Sequence, residues 1–269
     1  MRAASSPGLV VLRAGEYPAG MIEIEITDAV ATITLEAPAT RNALTLAGWH
    51  ALSAAVAAIG AAIGAGRPRA VVLCAKAPGM FCSGSDIGEI AALADDAALR
   101  APFRVAMRDA LEPLARLPMP VIAAIDGDCF GAGVALALAA DLRIATPRAV
   151  FAVPPAKLGI TYPQEDVARL VALVRPGQAA RMLYGAARID AAEAARIGLV
   201  EIVADDASGA ARAMARSMAT LSPSSLAALK TAVARAPLGH DPALDDLFDN
   251  AFAGDDFGKG IAAFRARAR

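Results

Sequence analysis

Met21–Leu35 reads M-I-E-I-E-I-T-D-A-V-A-T-I-T-L. Ile22, Ile24 and Ile26 alternate with Glu23 and Glu25, the period-two pattern of a strand with one buried face, and the alternation resumes over Val30–Leu35 after Asp28. The pattern predicts a hairpin. A-P-A-T-R-N-A-L then forms a turn leading to a helix near Leu46–Gly60. Two compact apolar runs, Ala70–Ala75 and Val121–Ile125, have the unalternating character of strands buried on both faces, and Leu142–Ala145 and Val150–Val153 add further short strands. Loops containing glycine follow both apolar runs.

Helical spacing marks a segment beginning near Asp86, another over Ala98–Leu117 stopped by Pro118 and Pro120, and the apolar stretch Val134–Ala140. From Val167 onward the pattern is mostly helical: Val167–Val174, Gln178–Tyr184, Ala191–Gly198, Asp206–Leu221 and Ser224–Ala236. Strands mixed with helices come first and helices finish the chain. This order predicts an α/β sheet core over 21–204 and a C-terminal helical region over 205–269. Residues 1–20 mix Ser, Pro and Gly and read as a flexible N-terminal extension.

Composition narrows the class. Of 269 residues, 57% are apolar and 20% charged, with 26 basic against 27 acidic. So apolar a chain is not disordered. A net charge of −1 predicts neither a nucleic-acid surface nor a polybasic membrane binder. Residues 1–20 carry Arg2, Arg13 and Glu16 without a long apolar run, and Val121–Ala140 is broken by Asp126, Asp128 and glycines, so neither a secretion signal nor a spanning helix is expected. Cys74, Cys82 and Cys129 lack zinc-type spacing and read as reduced thiols in a cytoplasmic protein with no metal and no resident cofactor. Alanine supplies about a quarter of the chain. Such a core gains little apolar area per residue, at about 25 cal/mol per Å², which makes self-association an expectation.

The chemistry is suggested by two segments of one architecture. A-V-V-L-C-A-K-A-P-G-M-F-C-S-G-S-D-I (Ala70–Ile87) and V-I-A-A-I-D-G-D-C-F-G-A-G-V-A (Val121–Ala135) each run strand, loop, helix start. Small residues there leave backbone N–H groups open to a ligand. Two such ends converging would form an oxyanion hole that polarises a carbonyl and stabilises an enolate. The competing reading is tight turns before helices. No lysine follows the glycines as in a phosphate cradle, and Ser83 lacks the preceding glycine of a nucleophile elbow.

The order of motifs resembles the enoyl-CoA hydratase/isomerase (crotonase) superfamily from about Ile22 to Phe264. R-N-A-L (Arg41–Leu44), F-C-S-G-S-D (Phe81–Asp86), P-V-I-A-A-I-D-G-D-C-F-G-A-G (Pro120–Gly133), A-D-L-R-I-A (Ala140–Ala145), K-L-G-I (Lys157–Ile160) and A-A-E-A-A-R-I-G-L-V (Ala191–Val200) stand in that family's order. The resemblance implies a crotonase-like ββα spiral core, a homotrimer or homohexamer, and an acyl-CoA thioester as substrate or ligand. By position it implies oxyanion-hole N–H groups from Ser85 and Ala132. Arg41, Ala43, Leu44, Ser83, Asp86, Ile87, Gly131, Ala135, Pro155 and Tyr162 would line the substrate path, with Lys230 and Lys259 as weaker candidates for CoA phosphates.

The chain departs from the resemblance at two positions. Typical hydratases use two glutamates for acid–base work. The corresponding residues here are Ala135 and Pro155, which cannot transfer a proton. Glu165 and Asp128 are the candidate substitutes, with Asp166 beside the first. Each also has a plainer reading: a charge at a helix start for Glu165 and Asp166, a loop-bonding carboxylate for Asp128. The expected chemistry is isomerisation or another conversion through a thioester enolate. The alternative is a non-catalytic acyl-CoA carrier or sensor.

Overall fold

The computed structural model describes residues 10–12, 21–63 and 68–267. Within the stretch read as a loose extension, Val10–Leu12 forms a strand (β1); the rest of residues 1–20 lies outside the described residues. The predicted hairpin is present as β2 (Ile22–Thr27) and β3 (Val30–Leu35), turning through Asp28 and Ala29, both at positive φ. The helix α1 (Leu46–Ala62) follows, capped by the Thr45 hydroxyl, which accepts from the Gly48 N–H.

Three ββα units then succeed one another. The first is β4 (Ala70–Ala75), β5 (Met80–Cys82), α2 (Ile87–Asp95) and α3 (Arg100–Ala115). The second is β6 (Val121–Ile125), β7 (Asp128–Phe130) and α4 (Ala132–Leu138). The third is β8 (Leu142–Ala145), β9 (Val150–Ala152) and α5 (Gln164–Leu183). The first strand of each unit enters one sheet and the second enters another. With β10 (Ile189–Asp190), α6 (Ala191–Ile197) and β11 (Ile202–Val203), the sheets have the orders β1-β2-β3-β4-β6-β8-β11 and β10-β9-β7-β5. The pairs β3–β4, β4–β6, β6–β8 and β8–β11 are parallel, as are β5–β7 and β7–β9.

The buried-run strands fall at the predicted limits because both faces of the large sheet are covered. One face packs on the main core with α1 and α3, including Trp49, Leu52, Ala110 and Leu114. The other receives α7 (Ala207–Ala219), which lays Ala207, Ala211, Ala215 and Ala219 against Val72, Cys74, Ile122, Ala124 and Ile144. Every fourth residue is alanine, so the helix presents one smooth face and approaches the strands closely. The two helices expected over residues 167–184 are present as the two parts of α5, separated by a break at Arg175 (φ 67°, ψ 160°) just before Pro176. The chain ends in α8 (Pro223–Arg235), α9 (Pro242–Ala251) and α10 (Asp255–Arg267), of which only α8 was expected from the pattern.

Lys230 on α8 bonds the Met119 carbonyl (3.0 Å) and Asp141 Oδ2 (2.8 Å), while Asp141 also accepts from the Val121 N–H (2.7 Å). This ammonium ties the C-terminal region to the sheet, a structural bond in place of the CoA-phosphate contact for which it was a weaker candidate.

The close alanine packing predicts a sharp size limit. Replacing Ala211, fully buried against β4 and β6, by Leu overfills the interface and lowers stability by about 2 kcal/mol. Ala213→Leu on the exposed face leaves stability within about 0.5 kcal/mol. Denaturant midpoints of the two variants check this contrast.

Candidate active site

The first glycine-containing loop, Ser83–Asp86, is held by the R-N-A-L turn. The Leu44 N–H donates to the Gly84 carbonyl (2.8 Å), the Asp86 N–H to the Leu44 carbonyl (3.0 Å), and the Ser83 N–H to the Arg41 carbonyl (3.0 Å). Leu44 and Ser85 thus form a parallel bridge in which residues 84 and 86 supply the pairing groups. The intervening Ser85 N–H has no intramolecular acceptor among the described residues. Arg41 and Asn42 both adopt positive φ. The buried Asn42 side chain stabilises that conformation: its Oδ1 accepts from the Ala37 N–H (2.8 Å) and its Nδ2 donates to the Phe81 carbonyl (3.0 Å). Asp86 caps α2 through the Gly88 and Glu89 N–H groups, and Glu89 in turn accepts from the Leu46 N–H (2.5 Å) at the start of α1.

The second loop meets the first backbone to backbone. Gly131 has φ 49° and ψ −119°, a conformation that glycine alone adopts readily. A Cβ built on Gly84 (φ 110°) would lie 3.4 Å from the Ala132 nitrogen, and one on Gly133 would lie 2.5 Å from the Cys82 carbonyl oxygen. No larger residue fits between β5 and α4. The Ala132 N–H likewise has no intramolecular acceptor among the described residues. The Gly131 carbonyl, at the other end of the same peptide, accepts from the Val134 N–H (2.9 Å), the Ala135 N–H (3.3 Å) and the Tyr162 hydroxyl (2.9 Å).

The charged groups form separate pairs. Arg41 and Asp128, 87 residues apart, meet at 3.1 Å. Glu165 pairs with Arg108, and its own backbone N–H, ahead of that arginine, holds its carboxyl below the usual range. Asp166 differs. It is 3% exposed, and burial pushes its carboxyl up to about 6, against the opposing pull of Arg169 (3.0 Å) and with further upward pressure from Glu165 and Glu112. Glu165 and Asp166 line a cavity of about 20 Å³ with Met107, Leu111 and Pro163 from α3 and the start of α5. That volume admits about one water molecule. Among the described residues no His, Cys, Asp or Glu group could hold a metal ion.

The sequence profile of the enoyl-CoA hydratase/isomerase family matches residues 25–268. The chain belongs to that family. It is 34% identical over 244 residues to the Mycobacterium tuberculosis protein named Probable enoyl-CoA hydratase echA6, covering 88% of this chain and 92% of that one. It is 42% identical over 135 residues to YngF of Bacillus subtilis, which is named for the same family; that match spans 50% of this chain and 51% of YngF. Among solved structures, an enoyl-CoA hydratase/carnithine racemase from Magnetospirillum magneticum superposes with a TM-score of 0.86 at 32% identity, covering 93% and 94% of the two chains. The enoyl-CoA hydratase of Bacillus anthracis gives 0.85 at 27%, covering 92% and 96%. The crotonase fold expected from the motifs is the fold observed.

Most residues expected on the substrate path gather here. Ser83, Ser85 and Asp86 lie on the first loop with Ile87 opening α2, Gly131 ends the second loop with Ala132 and Ala135 on α4, and the Tyr162 hydroxyl bonds the Gly131 carbonyl. Leu44 takes part through its backbone only, since its side chain is fully buried in the core. Ala43 and Ala135 are also buried, and Pro155 begins a 3-10 turn (Pro155–Leu158). Asn42 was quoted within its motif but given no role in the sequence reading, because its value comes from carbonyls brought to it by the fold.

Asp166 predicts a specific pH dependence. Its folded-state pKa lies above the ordinary carboxylate value, so the folded chain retains a proton there that the unfolded chain releases between about pH 4 and 6. The group therefore weakens the fold above pH 6, and the weakening disappears as pH falls towards 4. The stability of Asp166→Asn relative to the parent should rise by roughly 2–3 kcal/mol from pH 4 to 6, at about 1.4 kcal/mol per unit, and then level off. Urea unfolding across that range measures it; a flat difference contradicts the desolvated carboxyl.

Proposed function

We propose that this protein binds an acyl-CoA thioester in the cytoplasm and stabilises its enolate, using the Ser85 and Ala132 N–H groups as oxyanion donors. The observation that carries the reading is the pair of unused backbone N–H groups on two loops forced together at Gly84, Gly131 and Gly133. Carbonyl polarisation of that kind acidifies the α-carbon, and removing one donor reduces turnover about 10²–10³-fold. Arg41, Ser83, Asp86 and Ile87 line the approach in this reading.

The reaction class is isomerisation or another proton transfer at the α-carbon. Hydration is disfavoured because Ala135 and Pro155 occupy the positions of the two glutamates that hydratases use. All three candidate carboxylates are held in ion pairs, Asp128 with Arg41, Glu165 with Arg108 and Asp166 with Arg169, so burial is what distinguishes them. Asp166 combines burial with a pKa of about 6, close to neutral, where one carboxyl both accepts and donates a proton efficiently. We assign the proton-carrying role to Asp166, with Glu165 as its charged neighbour.

Alanine 132 offers a direct test of the donors. It is the first residue of α4, a position where proline is tolerated, and proline replaces the N–H in question by its ring Cδ. Deuterium uptake at the α-carbon of a saturated acyl-CoA in D₂O, followed by NMR, needs no knowledge of the natural substrate. Ala132→Pro should retain the fold and slow uptake about 10²–10³-fold. An unchanged rate contradicts the reading.

The same assay separates the carboxylates. Asp166→Asn should abolish exchange, whereas Glu165→Gln should retain it within about tenfold. The reverse pattern returns the role to Glu165. A carrier or sensor is the second reading, favoured by Ala135 and Pro155; calorimetric binding of acyl-CoA with no exchange in the parent protein selects it. Val233, Phe248 and Phe264 on α8–α10 face outward, which supports a homotrimer or homohexamer. Light scattering of a monomer would contradict that assembly.

A further inference from the structure

The Gly131–Ala132 peptide has a function at each end. Its N–H is a proposed oxyanion donor. Its carbonyl oxygen collects three donors: the Val134 and Ala135 N–H groups and the Tyr162 hydroxyl at 2.9 Å. In a trans peptide the C=O and N–H point in opposite directions, so Tyr162 approaches from the side away from the thioester. Hydrogen bonding to a carbonyl increases the partial positive charge on the N–H of the same amide, strengthening it as a donor by about 10–30% per bond. The Tyr162 bond also resists rotation about a residue held at φ 49°.

We propose that Tyr162 is a positioning residue of the oxyanion hole: through the Gly131 carbonyl it aims and polarises the Ala132 N–H that receives the thioester oxygen. The proposal rests on the acyl-CoA reading above. The phenol is suited to this task and not to proton transfer. Burial first, and then the nearby Asp166 charge, raise its pKa well above the ordinary tyrosine value, so it remains a hydrogen-bond donor at any working pH. Its ring packs on the main core and Pro163 follows it directly, so the hydroxyl is carried on a fixed support.

The test uses a chromophoric thioester, 4-dimethylaminocinnamoyl-CoA, whose absorption moves to longer wavelength as its carbonyl is polarised. The parent protein should bind it with a red shift. Tyr162→Phe leaves the Gly131 oxygen with two N–H donors, so the variant should fold and bind the thioester within about threefold of the parent. It should show a smaller red shift and α-proton exchange slowed about 3–10-fold, the equivalent of one neutral hydrogen bond. Replacing Tyr162 by 3-fluorotyrosine, which keeps the ring and makes the phenol a stronger donor, should restore or enlarge the shift. An equal red shift in the parent and Tyr162→Phe overturns the proposal. If the Phe variant does not fold, a series of ring-fluorinated tyrosines replaces it, and a shift independent of phenol acidity overturns the proposal. A parent protein that binds the thioester without any shift overturns the oxyanion-hole reading instead.

Discussion

The site depends on backbone packed against backbone with no side chain between. Gly133 faces the Cys82 carbonyl at a distance that excludes a Cβ, and Gly84, held at φ 110°, lies against the Gly131–Ala132 peptide. These contacts join β5 to α4, bringing together two loops that leave different strands of the large sheet, and they turn two amide N–H groups away from the hydrogen-bonded network. Packing elsewhere serves the same approach. The alanine face of α7 lets the large sheet be covered closely from one side, and α1 and α3 cover the other. The small second sheet, built from strands of two or three residues, then fixes both loops relative to one another.

Elements buried on both faces could be read from the chain without ambiguity. Ala70–Ala75 and Val121–Ile125 are continuous apolar runs because water reaches neither side of them. The strands β5 and β7 read as loops because three residues are too few to display a period, and their pairing is supplied by the larger sheet beside them. The helices α9 and α10 escaped notice for another reason. Phe248, Phe252 and Phe264 are exposed, so their apolar positions answer to no core within the chain. The break at Arg175 was legible as two helices because Pro176 interrupts the repeat.

At the site, what could be read was the backbone. Small residues after a buried strand predict open N–H groups whatever fold delivers them. Side-chain roles were less accessible. Asn42 matters because the fold brings the Phe81 carbonyl and the Ala37 N–H to its amide. Asp166 and Glu165 are adjacent in sequence and chemically alike, yet one is desolvated and the other is paired at a half-exposed helix start. Depth of burial is the main difference, and a step of one residue around the helix decides it. Arg41 and Asp128 were singled out independently from motifs far apart, and their ion pair closes the same corner of the loops.

This contrast explains how the chain departs from hydratases while retaining their architecture. A donor made of a peptide N–H survives any substitution that preserves the backbone: Ser at 85 and Ala at 132 are both compatible with it. A proton-transfer group belongs to a side chain and is removed by a single substitution. Polarising the carbonyl and moving the proton are therefore separable. A chain rich in alanine keeps the first at no chemical loss, whereas the second must be supplied from another element. The start of α5 is placed for that. It carries Asp166 in its first turn, and Tyr162 just before it reaches the Gly131 carbonyl. One segment thereby combines a near-neutral carboxyl with a hydrogen bond to the Gly131–Ala132 peptide.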